Sequence, residues 1–112
     1  MSDLITQRTD LDDGLCVAVT GDIDLSRAPE LRAGLLELIQ HSPMRLVVDL
    51  ENVGYMDSSG VATLVEVFQR QRKHNGVMVL AAMQPKVRSI FEIARLDSVF
   101  TIVDDTEAAK TA

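Results

Sequence analysis

The sequence has few cysteines, few aromatic residues and no long apolar runs. Cys16 is its single cysteine, which excludes an internal disulfide and a cysteine-based metal site. Aromatic residues make up 4% of the chain, so the core must come mainly from Leu, Val, Ile and Met. The longest apolar runs, such as residues 77–83, are far too short to span a bilayer. These shortages predict a small globular domain with an aliphatic core.

Positive charge is also scarce: the chain has 17 acidic and 11 basic side chains, and its formal net charge is −6. Nucleic acids and anionic membrane surfaces both select for basic clusters, and the sequence contains none. The first residues, Met1 to Leu4, lack the basic and apolar segments of a signal peptide. We therefore expect a cytoplasmic protein that binds neither nucleic acid nor membrane.

Hydrophobic patterning predicts a single α/β domain over residues 1–112. Strands are expected at residues 4–8, 15–20, 46–50, 77–82 and 99–103, with helices at 26–40, from about 57 to 74, from 84–85 onward, and a short one within 104–112. A polar segment of hairpin length joins the first two strands, and helices separate the later ones. The expected fold is a mixed, mostly parallel sheet of about five strands, opened by an antiparallel hairpin, with three to four helices.

Two strands have apolar residues on both alternating faces, which indicates cover on both sides of the sheet there. They are the central run Leu46–Leu50 and the second strand, in which Cys16 lies between Leu15 and Val17. Cys16 is accordingly expected to be a small buried hydrophobe.

The most informative stretch is the junction Met56–Gly60, where the central strand gives way to an amphipathic helix. Val61, Leu64, Val65 and Phe68 form the predicted inward stripe of that helix. Asp57, Ser58 and Ser59 therefore fall where a helix has unpaired N–H groups and the positive end of its dipole. Asp and Ser are preferred N-cap residues, so capping alone explains the three side chains individually.

The whole phrase Asn52-Val-Gly-Tyr-Met-Asp-Ser-Ser-Gly60 nevertheless resembles the signature of the STAS family, the sulfate transporter and anti-sigma factor antagonist domains. The segment Thr20–Asp24 is similar to the family's Thr-Gly-Glu-Leu-Asp, and Pro85-Lys86-Val87 with Phe91 resembles its third helix. The resemblance covers nearly the whole chain, and Met56–Gly60 is its most specific part.

The resemblance implies a regulatory protein without catalytic activity or cofactor. In the anti-anti-sigma members a partner kinase phosphorylates the first serine of this motif, which is Ser58 in this chain. The unphosphorylated form would bind an anti-sigma factor with serine kinase activity and release a sigma factor, and phosphorylation would end that binding. A serine phosphatase is a further candidate partner. The expected partner-binding residues are Gly21, Asp22, Asp24, Asp57, Ser59, Gly60, Ala62, Thr63 and Glu66. Ala62, Thr63 and Glu66 are expected on the outward side of the helix and Ser59 as a second cap or hydrogen-bond donor, and Met56 is expected to be buried.

Three alternative functions make different demands on the sequence. Serine catalysis needs a nearby base, and His41 and His74 both fall at predicted helix C-termini, far along the chain elements from Ser58. A phospho-aspartate receiver would use Asp49 or Asp57, but the lysine it needs after the last strand is missing until Lys110. A STAS scaffold subunit of a transport or signalling complex, without phosphorylation, stays open.

Overall fold

An antiparallel hairpin followed by three strand–helix repeats forms the framework of the protein. The computed structural model describes residues 3–112, so Met1 and Ser2 lie outside the described residues. Its elements are β1 (Ile5–Leu11), β2 (Gly14–Thr20), α1 (Ala28–Leu38), β3 (Arg45–Asn52), α2 (Ser58–Lys73), β4 (Val77–Ala81), α3 (Pro85–Ile93), β5 (Thr101–Val103) and α4 (Thr106–Ala109). The strands lie in the order β1-β2-β3-β4-β5, antiparallel between β1 and β2 and parallel thereafter. This confirms the predicted fold class.

Several element boundaries differ from the predicted ones for local reasons. The strand β1 continues to Leu11, so the hairpin turn is shorter than expected. The helix α1 begins two residues late because Asp24 accepts hydrogen bonds from the N–H groups of Ser26 and Arg27 and forms a separate turn. The strand β5 begins at Thr101 because the N–H groups of residues 99 and 100 bond to the carbonyl of Leu96. Among residues 3–112, no helix combines the length and the apolar character needed to cross a membrane.

The main core lies on one face of the sheet, where α1, α2 and α3 contribute buried side chains. It includes Val17, Leu31, Leu35, Val48, Leu64, Val67, Leu80, Val87 and Phe91. Three rings join this core at its β5 end, with Phe100 5.0 Å from Phe68 and 5.6 Å from Phe91 between ring centroids. Burial on this scale fixes α2 against the sheet, and with it the strand–helix junction that precedes α2.

The opposite face of the sheet is covered much less completely. A small second cluster, Val47, Val79 and Ala81, packs against Ala109 of the four-residue helix α4. Because so little chain lies on this face, Cys16 is half-buried rather than buried, and the expected full cover of β2 is wrong. Burial still raises the pKa of the Cys16 thiol, with a smaller contribution from the nearby charge of Asp49.

Arg45 ties α4 to the rest of the protein. Its guanidinium pairs with Asp13 of the hairpin at 3.0 Å and donates to the carbonyls of Ala109 at 3.1 Å and Ala112 at 2.6 Å. On the neighbouring surface, Thr106 of α4 and Cys16 of β2 line the same cavity of about 180 Å³. Displacement of α4 therefore opens the surroundings of Cys16.

Replacing Arg45 with methionine should loosen α4, because the carbonyls of Ala109 and Ala112 lose a charged donor. We expect Cys16 to react about fivefold faster with a thiol reagent, the factor that corresponds to about 1 kcal/mol of local stability. The matched control is Arg88→Met, since Arg88 makes looser pairs with Glu92 and Asp104 at 3.7 and 3.9 Å. Equal thiol reactivity in the wild-type and Arg45→Met proteins would contradict this role of Arg45.

Candidate functional site

Two chain segments run side by side where β2 and β3 end, and we call residues 21–26 and 53–58 the loop pair. Ile23 and Met56 form an isolated parallel bridge, and both side chains are buried, as expected for Met56. The Ile23 N–H donates to Tyr55 at 2.9 Å, and the Asp57 N–H donates to Ile23 at 3.1 Å. The two loops are thus hydrogen-bonded to each other rather than packed loosely.

Gly21 sets the direction of the first loop. Its φ of 107° lies in the region that favours glycine, and its N–H donates to the carbonyl of Asn52 at 3.1 Å. Asp22, the next residue, is exposed. The expected partner-binding residues of this loop therefore lie beside the strand–helix junction.

Asp57 is the N-cap of α2. Its Oδ1 accepts from the N–H groups of Ser59 at 2.9 Å and Gly60 at 3.4 Å, and from the hydroxyl of Ser59. The Ser59 hydroxyl is the largest cause that lowers the pKa of Asp57; the N–H groups of Ser59, Gly60 and Leu25 act in the same direction. A half-buried carboxylate with this many donors stays ionised at neutral pH.

Asp24 repeats this arrangement one loop away. Its Oδ1 accepts from the N–H of Ser26 at 3.0 Å, the hydroxyl of Ser26 at 2.6 Å and the N–H of Arg27 at 3.1 Å. The bond from the Ser26 hydroxyl is the main cause that lowers the pKa of Asp24, and the nearby charge of Asp57 opposes it slightly. Asp24 thus closes its own turn, and its hydrogen bonds do not orient Ser58.

The two serines of the junction have different surroundings. Ser59 is half-buried and its hydroxyl donates to Asp57, as expected of a hydrogen-bond donor at the cap. Ser58, the first residue of α2, is exposed, and its hydroxyl bonds to no other group within residues 3–112. Among these two side chains, Ser58 therefore presents the available hydroxyl.

Two expected surface residues turn out to belong to the packing of α2. Thr63 was placed on the outward side of the helix, which is wrong: it is 6% exposed, and its hydroxyl donates to the carbonyl of Ser59 at 3.1 Å. Gly60 is buried, and a Cβ there would lie 2.6 Å from Met56 and 2.8 Å from Ile23. The inward face of α2 is rotated toward these residues because the helix sits directly on the loop pair.

The outward side of α2 presents Ala62, which is exposed, and Glu66, which is half-exposed. Glu66 makes a two-pronged pair with Arg32 of α1, with both N–O distances 2.7 Å, and a looser pair with Arg70 at 3.5 Å. The bond from Arg32 is the main cause that lowers the pKa of Glu66. Glu66 thus links the outward side of α2, the helix that begins at Ser58, to α1.

The structure adds two exposed apolar residues that the sequence analysis did not place at the site. Leu25 is 74% exposed and Tyr55 is 50% exposed, one on each loop. A signal for Leu25 existed in the repeated Asp-x-Ser pattern, since Asp24-Leu25-Ser26 matches Asp57-Ser58-Ser59. By this correspondence Leu25 occupies the position that Ser58 occupies in the second loop.

His74 is too distant to act as a general base for Ser58. His74 lies at the other end of the 16-residue helix α2, about 24 Å away along the axis, where Nε2 contacts the carbonyl of Pro43. Within residues 3–112, no three His, Cys, Asp or Glu side chains are grouped so that they could hold a metal ion. The site can present a hydroxyl and a docking surface to another protein.

Comparisons with known proteins agree on one family. The STAS domain family matches residues 4–109. BtrV of Bordetella bronchiseptica, named as an anti-sigma factor antagonist, is 32% identical over 101 residues, which cover 89% of this chain and 87% of that protein. The crystal structure of an anti-sigma factor antagonist from Mycobacterium paratuberculosis has a TM-score of 0.85 at 28% identity, covering 94% of this chain and 89% of that one. Bacillus SpoIIAA in its phosphorylated form shares the fold, with a TM-score of 0.69 at 21% identity over 91% of this chain and 94% of that one.

A methyl group at position 60 should destabilise the protein because it would collide with Met56 and Ile23. We expect Gly60→Ala to lower the free energy of unfolding by about 1–3 kcal/mol in urea titrations, the usual cost of overpacking. Gly54→Ala is the matched control, since a Cβ there would meet its nearest side-chain atoms at 3.8 and 3.9 Å. If the two variants are equally stable, the close packing at Gly60 is not as described.

Acid should weaken the cap of α2, because the folded protein lowers the pKa of Asp57 below its ordinary value. The resulting stabilisation is present above the pKa of the unfolded chain and is lost as the pH falls through the lower, folded pKa. Asp57→Asn removes this titration, so its unfolding free energy should depend less steeply on pH below about 4. Parallel curves for Asp57→Asn and wild type in urea titrations at several pH values would contradict the assignment.

Proposed function

Because the chain belongs to the STAS domain family, we propose that it is an anti-sigma factor antagonist whose partner phosphorylates Ser58. The unphosphorylated protein binds an anti-sigma factor that is also a serine kinase, and the sigma factor is released. The observation that carries the proposal is the hydroxyl of Ser58, which is exposed and bonds to no other group within residues 3–112, whereas the neighbouring Ser59 hydroxyl bonds to Asp57. The names of the relatives BtrV and the Mycobacterium paratuberculosis protein support the same role.

In this proposal the chain is the substrate of the kinase and not a catalyst. The partner supplies ATP, its metal ion and the base that accepts the hydroxyl proton while the bond from Oγ to phosphorus forms and ADP leaves. The chain supplies a fixed acceptor, because Ser58 begins a helix whose cap is set by Asp57. Since sigma factors act on the transcription machinery, we place this exchange in the bacterial cytoplasm, with a serine phosphatase to reverse it.

A phosphate on Ser58 adds roughly −1.5 to −2 charges at pH 7. The N–H groups of Ser59 and Gly60, which a free helix N-terminus would offer to that phosphate, already bond to Asp57. The helix dipole still favours the added charge. These two N–H groups, however, are no longer available to donate hydrogen bonds to the phosphate. We infer that the phosphate points outward into the space that the partner occupies.

The surroundings of Ser58 make the added charge unfavourable for binding. Asp57 precedes it, and the charge of Asp57 is close enough to Asp24 to oppose the lowering of the Asp24 pKa. Asp22 is exposed on the same loop as Asp24. A partner that accommodates these carboxylates meets a larger negative charge and a larger group after phosphorylation. A loss of about 3 kcal/mol is enough to weaken binding about a hundredfold.

Incubation with the anti-sigma factor kinase of the same organism and ATP should add one phosphate to the wild-type protein. Ser58→Ala should gain none, because the available hydroxyl is gone. Ser59→Ala is the matched control and should still be labelled, since its hydroxyl serves the cap. Intact-mass and peptide mass spectrometry locate the phosphate; full labelling of Ser58→Ala would contradict the assignment.

Binding measurements on the wild-type protein and a Ser58→Glu variant distinguish the phosphorylation switch from a scaffold that is not phosphorylated. Ser58→Glu should weaken binding to the kinase by about a hundredfold while its melting temperature stays near that of the wild type, because the change lies on the surface. A scaffold subunit that is not phosphorylated should bind its partner equally well in both forms.

A further inference from the structure

Leu25 is an exposed apolar side chain in a place where the fold does not require one. It is 74% exposed, whereas Ile23, two residues earlier on the same loop, is completely buried. The bridge between Ile23 and Met56 sets the register of the loop pair. Two residues beyond the bridge lie Leu25 on one segment and Ser58 on the other, so the leucine is the positional counterpart of the acceptor serine.

The backbone around Leu25 is held firmly by the hydrogen bonds of its neighbours. Asp24, before it, bonds to Ser26 and Arg27 after it, which closes the turn on both sides of the leucine. The N–H of Leu25 also acts on the carboxylate of Asp57 and helps to lower its pKa. The carboxylate that caps the helix of Ser58 therefore also faces the backbone of Leu25, and the segments that carry Leu25 and Ser58 are joined there and at the bridge between Ile23 and Met56.

The surroundings of Leu25 define the chemistry of a partner. Half-exposed Tyr55 lies on the neighbouring loop, and three aspartates, Asp22, Asp24 and Asp57, belong to the same two loops. A complementary surface has an apolar pocket with basic groups at its rim. A kinase that binds ATP next to Ser58 needs cationic groups close to the transferred phosphate, so it matches this charge pattern.

We propose that Leu25 is a specificity-determining anchor that inserts into an apolar pocket of the kinase beside its phosphate-transfer site. The proposal rests on the proposed function, because its occupant is the kinase that phosphorylates Ser58. Leu25 does not touch the reacting atoms, so it acts on the binding of the protein and not on the transfer step. The leucine side chain carries no charge, so phosphorylation of Ser58 leaves the anchor itself unchanged while the neighbouring charge weakens binding.

The test compares Leu25→Ala with Ile93→Ala, which removes a similarly exposed aliphatic side chain, 85% exposed, from α3. The probe is the purified anti-sigma factor kinase of the same organism with ATP. For Leu25→Ala we expect the dissociation constant and the KM for phosphorylation to rise about tenfold, with kcat and melting temperature unchanged. Ile93→Ala should match the wild type, and Leu25→Met should recover most of the affinity because it restores apolar volume.

Each result decides between the proposals. Normal binding of Leu25→Ala, or equal losses in Leu25→Ala and Ile93→Ala, overturns the anchor and leaves the proposed function intact. A lower kcat with unchanged KM also overturns it, because the residue would then act on the transfer step. If the wild-type protein neither binds the kinase nor gains phosphate, the proposed function fails together with the anchor.

Discussion

The carboxylate of Asp57 is the interaction on which the strand–helix junction depends. It accepts hydrogen bonds from the N–H groups of Ser59 and Gly60 and from the Ser59 hydroxyl, and it faces the N–H of Leu25. Its own N–H bonds to Ile23, which joins the two loops. Through its side chain and its backbone N–H, this one residue helps to fix where α2 begins and how the two loops lie against each other.

Capping and modification are therefore complementary explanations of the Asp-Ser-Ser sequence. An N-cap needs one side-chain acceptor, and Asp57 fills that role with the help of Ser59. Ser58 is left without a structural task, on the surface, at the start of a well-anchored helix. Under the proposed function, Ser58 would gain or lose a phosphate while the core stays unchanged.

The same geometry limits how the domain can accommodate a new negative charge. A helix N-terminus usually attracts anions because its N–H groups are unpaired. Here an aspartate already holds two of them, and a second aspartate turn lies in the adjacent loop. Under the proposed function, the charge on a phosphorylated Ser58 would find little further compensation from these N–H groups, and its effect would fall on the interface with the kinase.

The tight packing beneath this surface explains how it keeps its shape. Gly60 lets α2 approach Met56 and Ile23 more closely than any residue with a Cβ would permit. On the outer side, the pair between Glu66 and Arg32 joins α2 to α1. The two loops, α1 and α2 are consequently joined beneath the surface that carries Ser58.

The sequence by itself determined the order of strands and helices, the α/β class and the location of the junction, because strand and helix periodicity and capping preferences are local properties. It placed Met56 inside and Ser59 at the cap for the same reason. Only the tertiary structure decided that Thr63 is buried, that Cys16 is half-exposed and that Leu25 is exposed on the loop next to the segment that ends at Ser58. Those outcomes depend on which elements meet: α2 rests on the loop pair, the four-residue α4 covers little of the sheet, and the bridge between Ile23 and Met56 sets the register of the two Asp-x-Ser turns.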